Sequence, residues 1–213
     1  MLRYSEQAEA RFLRDCWLKG TKSRKESGGM IKKITSLFAG AVAALLLTAC
    51  GSVDKETVIY ANDKGFAEGQ MGDTLRSSFF DYRVDSACLC GEFEGYTAAD
   101  GYELLVAEIT VHNIFDEGIT MYDTDFQVQW NSDAEDARDW PVTFYLQEGE
   151  SLGRDVLPNQ YDLEKAESRT GLLVYEVPEG ETEFSIVYQE YFEDESYGDI
   201  FFVNFSAEHK QAP

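Results

Sequence analysis

Six segments after residue 70 alternate between apolar and polar side chains at every second position. In the first of them, Phe80, Tyr82 and Val84 alternate with Asp81 and Arg83. A period of two places every other side chain on the same face of an extended strand, so one face can enter a core while the other meets water. The pattern predicts strands here and in five further segments, near residues 105–112, 126–130, 173–177, 184–189 and 201–206.

Turn-forming sequences separate these segments, among them Asp100-Gly101, Glu148-Gly149 and Pro178-Glu179-Gly180. Gly, Asp, Asn and Pro favour the tight reversals that connect neighbouring strands. Several short strands with regular turns and no convincing amphipathic helix are typical of a β-sandwich or a barrel. We therefore predict one all-β domain over residues 71–206, followed by a C-terminal tail at 207–213.

Residues 30–49 indicate where the chain is delivered. Lys32 and Lys33 precede an apolar stretch that ends in small residues at Ala49. A charged start, an apolar middle and a small-residue cleavage site are the three parts of a secretory signal. The alternative is an uncleaved membrane anchor, but the apolar stretch from residue 34 to 49 is shorter than the roughly 20 residues that a spanning helix needs.

The sequence Leu47-Thr48-Ala49-Cys50 resembles the cleavage site of bacterial lipoproteins. This resemblance implies that the chain is cut between Ala49 and Cys50 and that the sulfur of Cys50 carries a diacylglycerol through a thioether. The mature protein would then be anchored by lipid to the outer face of the cell membrane. We expect Cys50 to be the modified residue and the mature chain to start there.

The segments on either side of the signal show little periodicity. Residues 1–29 have mixed charges and no useful apolar pattern, and we hypothesise that translation starts at Met30, so that 1–29 is a mis-annotated extension. A genuine N-terminal extension of the signal is the alternative. Residues 50–70 are predicted to be a flexible tether between the lipid and the domain.

Charge divides sharply at the predicted cleavage site. Residues 50–213 contain 9 Lys/Arg and 36 Asp/Glu, a net charge of −27. Nucleic-acid binding needs Lys and Arg to displace counterions, so a surface this acidic excludes nucleic acid as a partner. The charge serves solubility in one interpretation, and a divalent cation or a basic partner in the other.

Four short sequences resemble a family of unknown function that is common in lipoproteins of Gram-positive bacteria. They are Met71–Thr74, Leu105–Asn113, Asp125-Phe126 and Gly171–Pro178. The resemblance implies an immunoglobulin-like antiparallel β-sandwich of about 7–9 strands, related to the fold of a small secreted mycobacterial immunoprotein. The family has no agreed catalytic residues, so the resemblance assigns none to this chain.

Cys88 and Cys90 are the thiols of the mature chain besides Cys50. A location outside the cytoplasm permits a disulfide, yet two strand residues on one face hold their Cβ atoms roughly 6–7 Å apart, well above the ~3.8 Å of a disulfide. A bridge would need a turn or bulge, which Gly91 permits. Free buried thiols and a small disulfide both stay open at this point.

Two groups of side chains are candidates for a binding site. Asp133, Asp136 and Asp139 fall in one acidic stretch, and carboxylates on a loop can supply oxygen ligands to calcium. Trp130 and Trp140 flank this stretch and could stack on a sugar or a peptide. The competing interpretations are solvated acidic loops for the aspartates and core packing for the tryptophans.

No motif of a hydrolase, a phosphate-binding loop or a zinc enzyme stands in the sequence. We therefore expect no enzyme. We expect a binding or interaction module with an unknown ligand or a protein partner at the cell surface, recognised by the loops near 113–125 and 131–141. The alternatives are a calcium-stabilised structural module of the envelope and an accessory lipoprotein that binds a small ligand.

Overall fold

The structure, a computed structural model, describes residues 57–130, 137–147 and 150–210. These ranges contain two short 3-10 helices, at Asp123–Asp125 and Val142–Tyr145. The strands that they contain are β1 (Val58–Tyr60), β2 (Phe66–Gln70), β3 (Thr74–Arg76), β4 (Phe80–Cys90), β5 (Glu92–Phe93), β6 (Tyr96–Thr97), β7 (Tyr102–Asn113), β8 (Ile119–Tyr122), β9 (Gln127–Trp130), β10 (Arg138–Asp139), β11 (Gln160–Leu163), β12 (Ser168–Pro178), β13 (Glu183–Tyr191), β14 (Tyr197–Ser206) and β15 (Glu208–His209).

Two large sheets share one core. The first has the order β1-β3-β4-β7-β12, with β15 paired to β4, and the second has the order β10-β9-β13-β14-β2. Two-stranded ribbons are formed by β8 with β11 and by β5 with β6. The longest pairs are antiparallel, whereas β1–β3, β2–β14 and β4–β15 run parallel. The predicted all-β sandwich is confirmed, with parallel pairing as an addition.

The alternating segments supply the long strands β4, β7, β12, β13 and β14, and the short strand β9. On β13, for example, Phe184, Ile186 and Tyr188 are buried and belong to the main core. Phe126 lies just before β9 but is fully buried in the same core. The period of two therefore identified the strands that build the centre of the molecule.

Aromatic side chains fill the main core between the two sheets. The ring of Tyr188 lies 4.6 Å from that of Phe80, and the ring of Phe126 lies 5.4 Å from that of Tyr82. The buried hydroxyl of Tyr82 donates to the carbonyl of Phe201 at 3.1 Å, which ties β4 to β14 in the opposite sheet. A buried phenol needs such a partner, and this one helps to fix how the sheets face each other.

A second, smaller core lies on the outer face of the first sheet. Leu104 and Val106 of β7 point into it, whereas Leu105 and Ala107 point into the main core. A strand that is buried on both faces has no polar alternation, which explains the continuous apolar run at 104–107. The segment that covers this core contributes apolar side chains of Val142, Leu152 and Val156.

The domain extends beyond both ends of the predicted range 71–206. Strands β1 and β2 lie in the segment 50–70 that was expected to be a tether, and β15 lies in the expected tail at 207–213. Strand β2 pairs with β14, and Ala67 on it is 2% exposed. Parallel pairing uses no hairpin turn, and these strands are too short for a long alternating run, so neither signal marks them in the sequence.

Candidate binding surface

The segment 137–147 presents aromatic side chains at the edge of the second sheet. Strand β10 pairs with β9, opposite Gln129 and Val128, and the 3-10 helix at Val142–Tyr145 follows. The Oδ1 atom of Asp139 accepts hydrogen bonds from the hydroxyl of Tyr145 at 2.6 Å and from the backbone N–H of Trp140 at 2.7 Å. Tyr145 is thus held in a defined position although it is 60% exposed.

A second tyrosine–carboxylate pair lies close to the first. The hydroxyl of Tyr96 donates to Oε1 of Glu176 at 3.1 Å. Burial raises the pKa of Tyr96, as do its hydrogen bond to Glu176 and the negative charges of Glu176 and Asp139. Burial, the hydrogen bond to Asp139 and the charges of Asp139 and Glu176 likewise raise the pKa of Tyr145. Each carboxylate therefore acts on both phenols, and both phenols stay neutral at physiological pH.

We call this region the aromatic–acidic surface; its members are Tyr96, Asp139, Trp140, Phe144, Tyr145 and Glu176. The ring of Phe144, which is 52% exposed, lies 5.1 Å from that of Tyr145 and 6.4 Å from that of Trp140. Exposed rings can pack against apolar or sugar surfaces and can attract cations through their faces. Neighbouring carboxylates add acceptors and negative charge, so the surface favours a partner with apolar and basic groups.

The two tryptophans that sequence analysis paired have different surroundings. Trp130 is partly buried, packs against the main core and lies opposite Phe184 on β13. Trp140 lies beyond the end of β10 and contacts Phe144. Trp130 therefore contributes to core packing, and ligand contact by either tryptophan stays a prediction.

The aspartates proposed as calcium ligands are only partly within the structure. Asp133 and Asp136 lie outside the described residues, and Asp139 uses its Oδ1 for Tyr145 and Trp140. In the described ranges, no group of three or more His, Cys, Asp or Glu side chains is arranged to hold a metal ion. Calcium binding by Asp133, Asp136 and Asp139 stays a prediction.

Cys88 and Cys90 are free thiols in the structure, and the expected alternative of a disulfide between them is not realised. Both lie in the outer core on the same face of β4, where extended backbone keeps their Cβ atoms apart. Burial raises the pKa of both thiols, which disfavours the reactive thiolate. Ala49 and Cys50, the predicted cleavage and lipidation residues, lie outside the described residues.

The loop near 113–125 is described in full, whereas residues 131–136 of the loop near 131–141 lie outside the described residues, so recognition by these two loops stays a prediction. Asn113 ends β7 at the edge where β12 begins, whereas Trp130 lies opposite Phe184, near the turn that ends β12. The two loops therefore start at opposite ends of the sandwich. Asn113 is also fully buried, and its Nδ2 donates to the carbonyl oxygens of Glu117, Leu163 and Glu164, so its role is structural.

Asp123 and Asp125 form one of the acidic groups at loop ends that the sequence offers as candidates for a site, and the structure buries Asp123 and half-buries Asp125. Asp123 is 1% exposed and its Oδ2 accepts a hydrogen bond from the hydroxyl of Thr143. Burial raises the pKa of Asp123; burial and the charge of Asp123 raise that of Asp125 to about 6. The buried hydroxyl of Tyr161 has no hydrogen-bond partner among the described residues. Alternation cannot reveal this pair, because it lies in a 3-10 turn between strands.

One contact resembles the arrangement that nucleophilic catalysis uses. The Oγ of Ser168 lies 2.8 Å from Nδ1 of His112, its cross-strand neighbour, on the solvent-facing side of the first sheet. A catalytic histidine needs a third group to orient it. Asp81, the neighbour of His112 on β4, is instead bound by Arg76 at 2.6 Å. The geometry is that of an ordinary cross-strand pair.

Comparisons with solved structures give low identities throughout. The chain shares 22% identity with the yjhA protein of Bacillus subtilis, covering 56% of this chain and 81% of that one, with a TM-score of 0.43. It shares 12% with ycdA, a candidate lipoprotein of Bacillus subtilis, covering 63% of this chain but only 38% of that one, with a TM-score of 0.48. A candidate lipoprotein of Staphylococcus aureus shares 13%, covering 68% and 97%, with a TM-score of 0.44.

No curated protein matches the chain. Within the described ranges, no helix has the length and apolar content needed to cross a membrane. The model of one family, described as "Domain of unknown function (DUF4352)", matches residues 69–198, which is more than half of the chain. The chain therefore belongs to the DUF4352 family.

Proposed function

We propose that this chain is a lipid-anchored lipoprotein outside the cytoplasm and that its β-sandwich is a binding module. The aromatic–acidic surface is the recognition site in this proposal, and its partner is a protein at the cell surface. The observation that carries the proposal is that Phe144 and Tyr145 are 52% and 60% exposed, although Tyr145 is fixed by its hydrogen bond to Asp139.

The exposed rings are displayed on a rigid support. Thr143, between Val142 and Phe144, is buried, and its hydroxyl donates to Asp123. Its carbonyl accepts a hydrogen bond from Nδ2 of Asn159 at 2.9 Å. Rings kept in place while exposed forgo the burial that an aromatic side chain gains in a core. Such a pre-organised aromatic patch is typical of a binding site, because binding then orders few side chains.

Charge and anchoring agree with a partner that carries basic groups. A diacylglycerol on Cys50 gives two acyl chains, and two chains are enough for stable membrane anchoring. The net charge of −27 over residues 50–213 repels anionic head groups and attracts basic surfaces. A protein that presents Lys or Arg beside apolar side chains fits the carboxylates of Asp139 and Glu176 and the neighbouring aromatic rings.

Crosslinking on intact cells, followed by mass spectrometry, tests the proposal. We expect a reproducible protein partner with the native chain and loss of its crosslink in a Phe144→Ser/Tyr145→Ser double variant. Tyr191→Ser is the matched control, because Tyr191 is 55% exposed and lies in the β13–β14 hairpin. An unchanged crosslink in the double variant would refute the site. The intact mass of the mature protein tests the anchor: an unmodified Cys50, or retention of residues 30–49, would contradict it.

A further inference from the structure

A cavity of about 410 Å³ opens at the free edge of strand β12, in the first sheet. One wall is formed by the edge of β12, and the other by the segment that precedes β11. A volume of this size falls in the range of small-ligand sites and would accept the last two or three residues of a peptide. Its lining residues are Glu108, residues 154–158 and residues 169–172.

The segment before β11 already pairs with this edge over one step. The N–H of Leu172 donates to the carbonyl of Asp155 at 2.8 Å, and the N–H of Leu157 donates to the carbonyl of Leu172 at 2.9 Å. Val156 and Leu172 form an isolated parallel bridge, so the pairing stops on either side of it. The backbone groups of Leu172 therefore point away from β7.

Residues two apart in a strand point their backbone groups to the same side. The N–H and C=O of Thr170 therefore also point away from β7, and Thr170 lines the cavity. No pairing of these two groups with the segment 154–158 is found, since the bridge ends at Leu172. One donor and one acceptor of a sheet edge are thus available inside the cavity, which is the arrangement that accepts an added strand.

The glycine next to this position lets the covering segment approach. Leu157 is 2% exposed and packs directly over Gly171, where a Cβ would lie 2.6 Å from its Cδ2 atom. The covering segment therefore contacts the edge of β12 at Gly171 and Leu172 but not at Thr170. The cavity lies at Thr170, just beyond these contacts.

Two arginines flank the open position. Arg154 and Arg169 both line the cavity, although residues 50–213 contain only 9 Lys/Arg in all. The guanidinium of Arg169 lies over the ring of Tyr161, 5.0 Å from its centroid, which orients it. Arg154 makes an exposed contact with Asp155 at 3.4 Å. With Glu108, these side chains make the lining neutral in a strongly acidic domain, and the guanidinium N–H groups can donate to a carboxylate.

We propose that this edge binds the carboxylate-bearing end of an extended peptide. The peptide backbone pairs with the N–H and C=O of Thr170 as a short added strand, and its carboxylate accepts hydrogen bonds from Arg169, with Arg154 adding charge. Backbone pairing supplies affinity and the arginines supply selectivity for the end of the chain. This site uses neither Asp139 nor the exposed rings, so it is independent of the function proposed above.

The test uses the secreted Cys50→Ser form and acetylated tetrapeptides of the sequence Ser-Thr-Val-Val. Amide NMR titration is expected to move the Thr170 signal with the free-carboxylate peptide. Amidation of its C-terminus, or Arg169→Gln in the protein, should weaken binding roughly tenfold or more, as expected for a charge-assisted hydrogen bond. Arg154→Gln should weaken it less, and Lys165→Gln, at an exposed ion pair with Asp116, should leave it unchanged.

Modified peptides test the two parts of the proposal, strand pairing at Thr170 and recognition of the carboxylate. N-methylation of the peptide amide that pairs with Thr170 should abolish the Thr170 shift if the peptide adds as a strand. Equal binding of the free and amidated peptides would overturn the role of the carboxylate. The carboxylate could come from the C-terminus or from an acidic side chain, and an amidated peptide that ends in Asp separates these two sources. Binding of this peptide would assign the carboxylate to a side chain and would overturn the proposal of a terminal carboxylate. A Thr170 amide that does not respond at millimolar peptide would overturn the site.

Discussion

The main core and the outer core differ in how they are built. The main core lies between two sheets, and its large rings, such as those of Tyr82, Phe126 and Tyr188, interlock from opposite strands. The outer core lies under an irregular segment whose apolar contributions, such as Val142, Leu152 and Val156, are small and widely spaced. Regular strands bound the main core on both sides, whereas a sheet bounds the outer core on one side only.

This difference separates stability from recognition. Sheet-to-sheet packing fixes the frame, whereas the cover of the outer core carries the exposed rings of Phe144 and Tyr145 in residues 137–147 and one wall of the edge cavity in residues 154–158. Irregular segments have fewer ladder hydrogen bonds, so their positions depend on specific side-chain contacts. The two regions should therefore differ in how much a substitution lowers the free energy of unfolding, in pH dependence and in accessibility to reagents.

The largest effect is expected from Phe126→Ala in the main core. Phe126 is fully buried, and its ring contacts those of Phe80, Tyr82 and Tyr188. Removing a buried phenylalanine side chain costs about 3–5 kcal/mol. Denaturant unfolding should show this loss, with exchange of the amides in both sheets accelerated together. A loss below about 1 kcal/mol would contradict the assignment of this ring to the centre of the core.

Asp125 tests the place where the two regions meet, because its 3-10 helix contacts the one at Val142–Tyr145 through Asp123 and Thr143. Burial first, and the charge of Asp123, raise the pKa of Asp125 from 3.8 to about 6. A raised carboxyl pKa means that the folded state holds the proton more tightly, so this stabilising contribution is lost as pH rises from about 4 to about 6.

We expect Asp125→Asn to remove that decline and to be more stable than the native protein at pH 7, by about 1–3 kcal/mol. The amide retains an oxygen to accept the N–H of Tyr122, which binds Asp125 at 2.7 Å. Denaturant midpoints between pH 4 and 8 give the comparison, and Asp116→Asn is the exposed control. Parallel pH profiles for Asp125→Asn and the native protein would refute the raised pKa.

Gly171→Ala should act on the cover alone. The new Cβ would lie within 3 Å of Leu157 side-chain atoms, so the segment at 155–157 must shift or detach. We expect a cost of about 1–3 kcal/mol. Hydrogen exchange should accelerate at the amides of Leu157 and Leu172, which bridge the segment to β12, while the amides of β13 stay protected. Uniform acceleration in both sheets would mean that the two regions unfold together.

The same contrast explains what the sequence could predict. Alternation located β4, β7, β12, β13 and β14 because each long strand has one face in the main core. It did not locate β1, β2 and β15, because these short strands pair in parallel, with no hairpin turn, and their residues form no long alternating pattern.

The candidate sites were less accessible to prediction for a related reason. The sequence offered Trp140 and Asp139 as candidate binding residues. It could not place Tyr96 and Glu176 beside them, because these two residues come from strands that are distant in the sequence. Flanking positions in the sequence could not show that Trp130 packs against the main core, and ligand contact by Trp130 and Trp140 stays a prediction. The open edge at Thr170 depends on where the cover stops, which follows from packing on Gly171 and not from any motif.

The last prediction concerns the accessibility of the outer-core thiols to a reagent, which can be measured with the smallest change in stability. Cys88 and Cys90 are 7% and 8% exposed, and burial raises the pKa of both, so the native protein should react slowly with an aromatic disulfide reagent at pH 7. Reaction requires the cover or the β5–β6 ribbon to move, since Phe93 on this ribbon also belongs to the outer core and the other face of β4 belongs to the main core. Gly171→Ala should therefore speed labelling several-fold, whereas the exposed control Arg154→Gln should leave the rate unchanged. Fast labelling of the native protein would show that the cover opens freely, and in that case the rigid support inferred for the exposed rings at 144 and 145 would have to be abandoned as well.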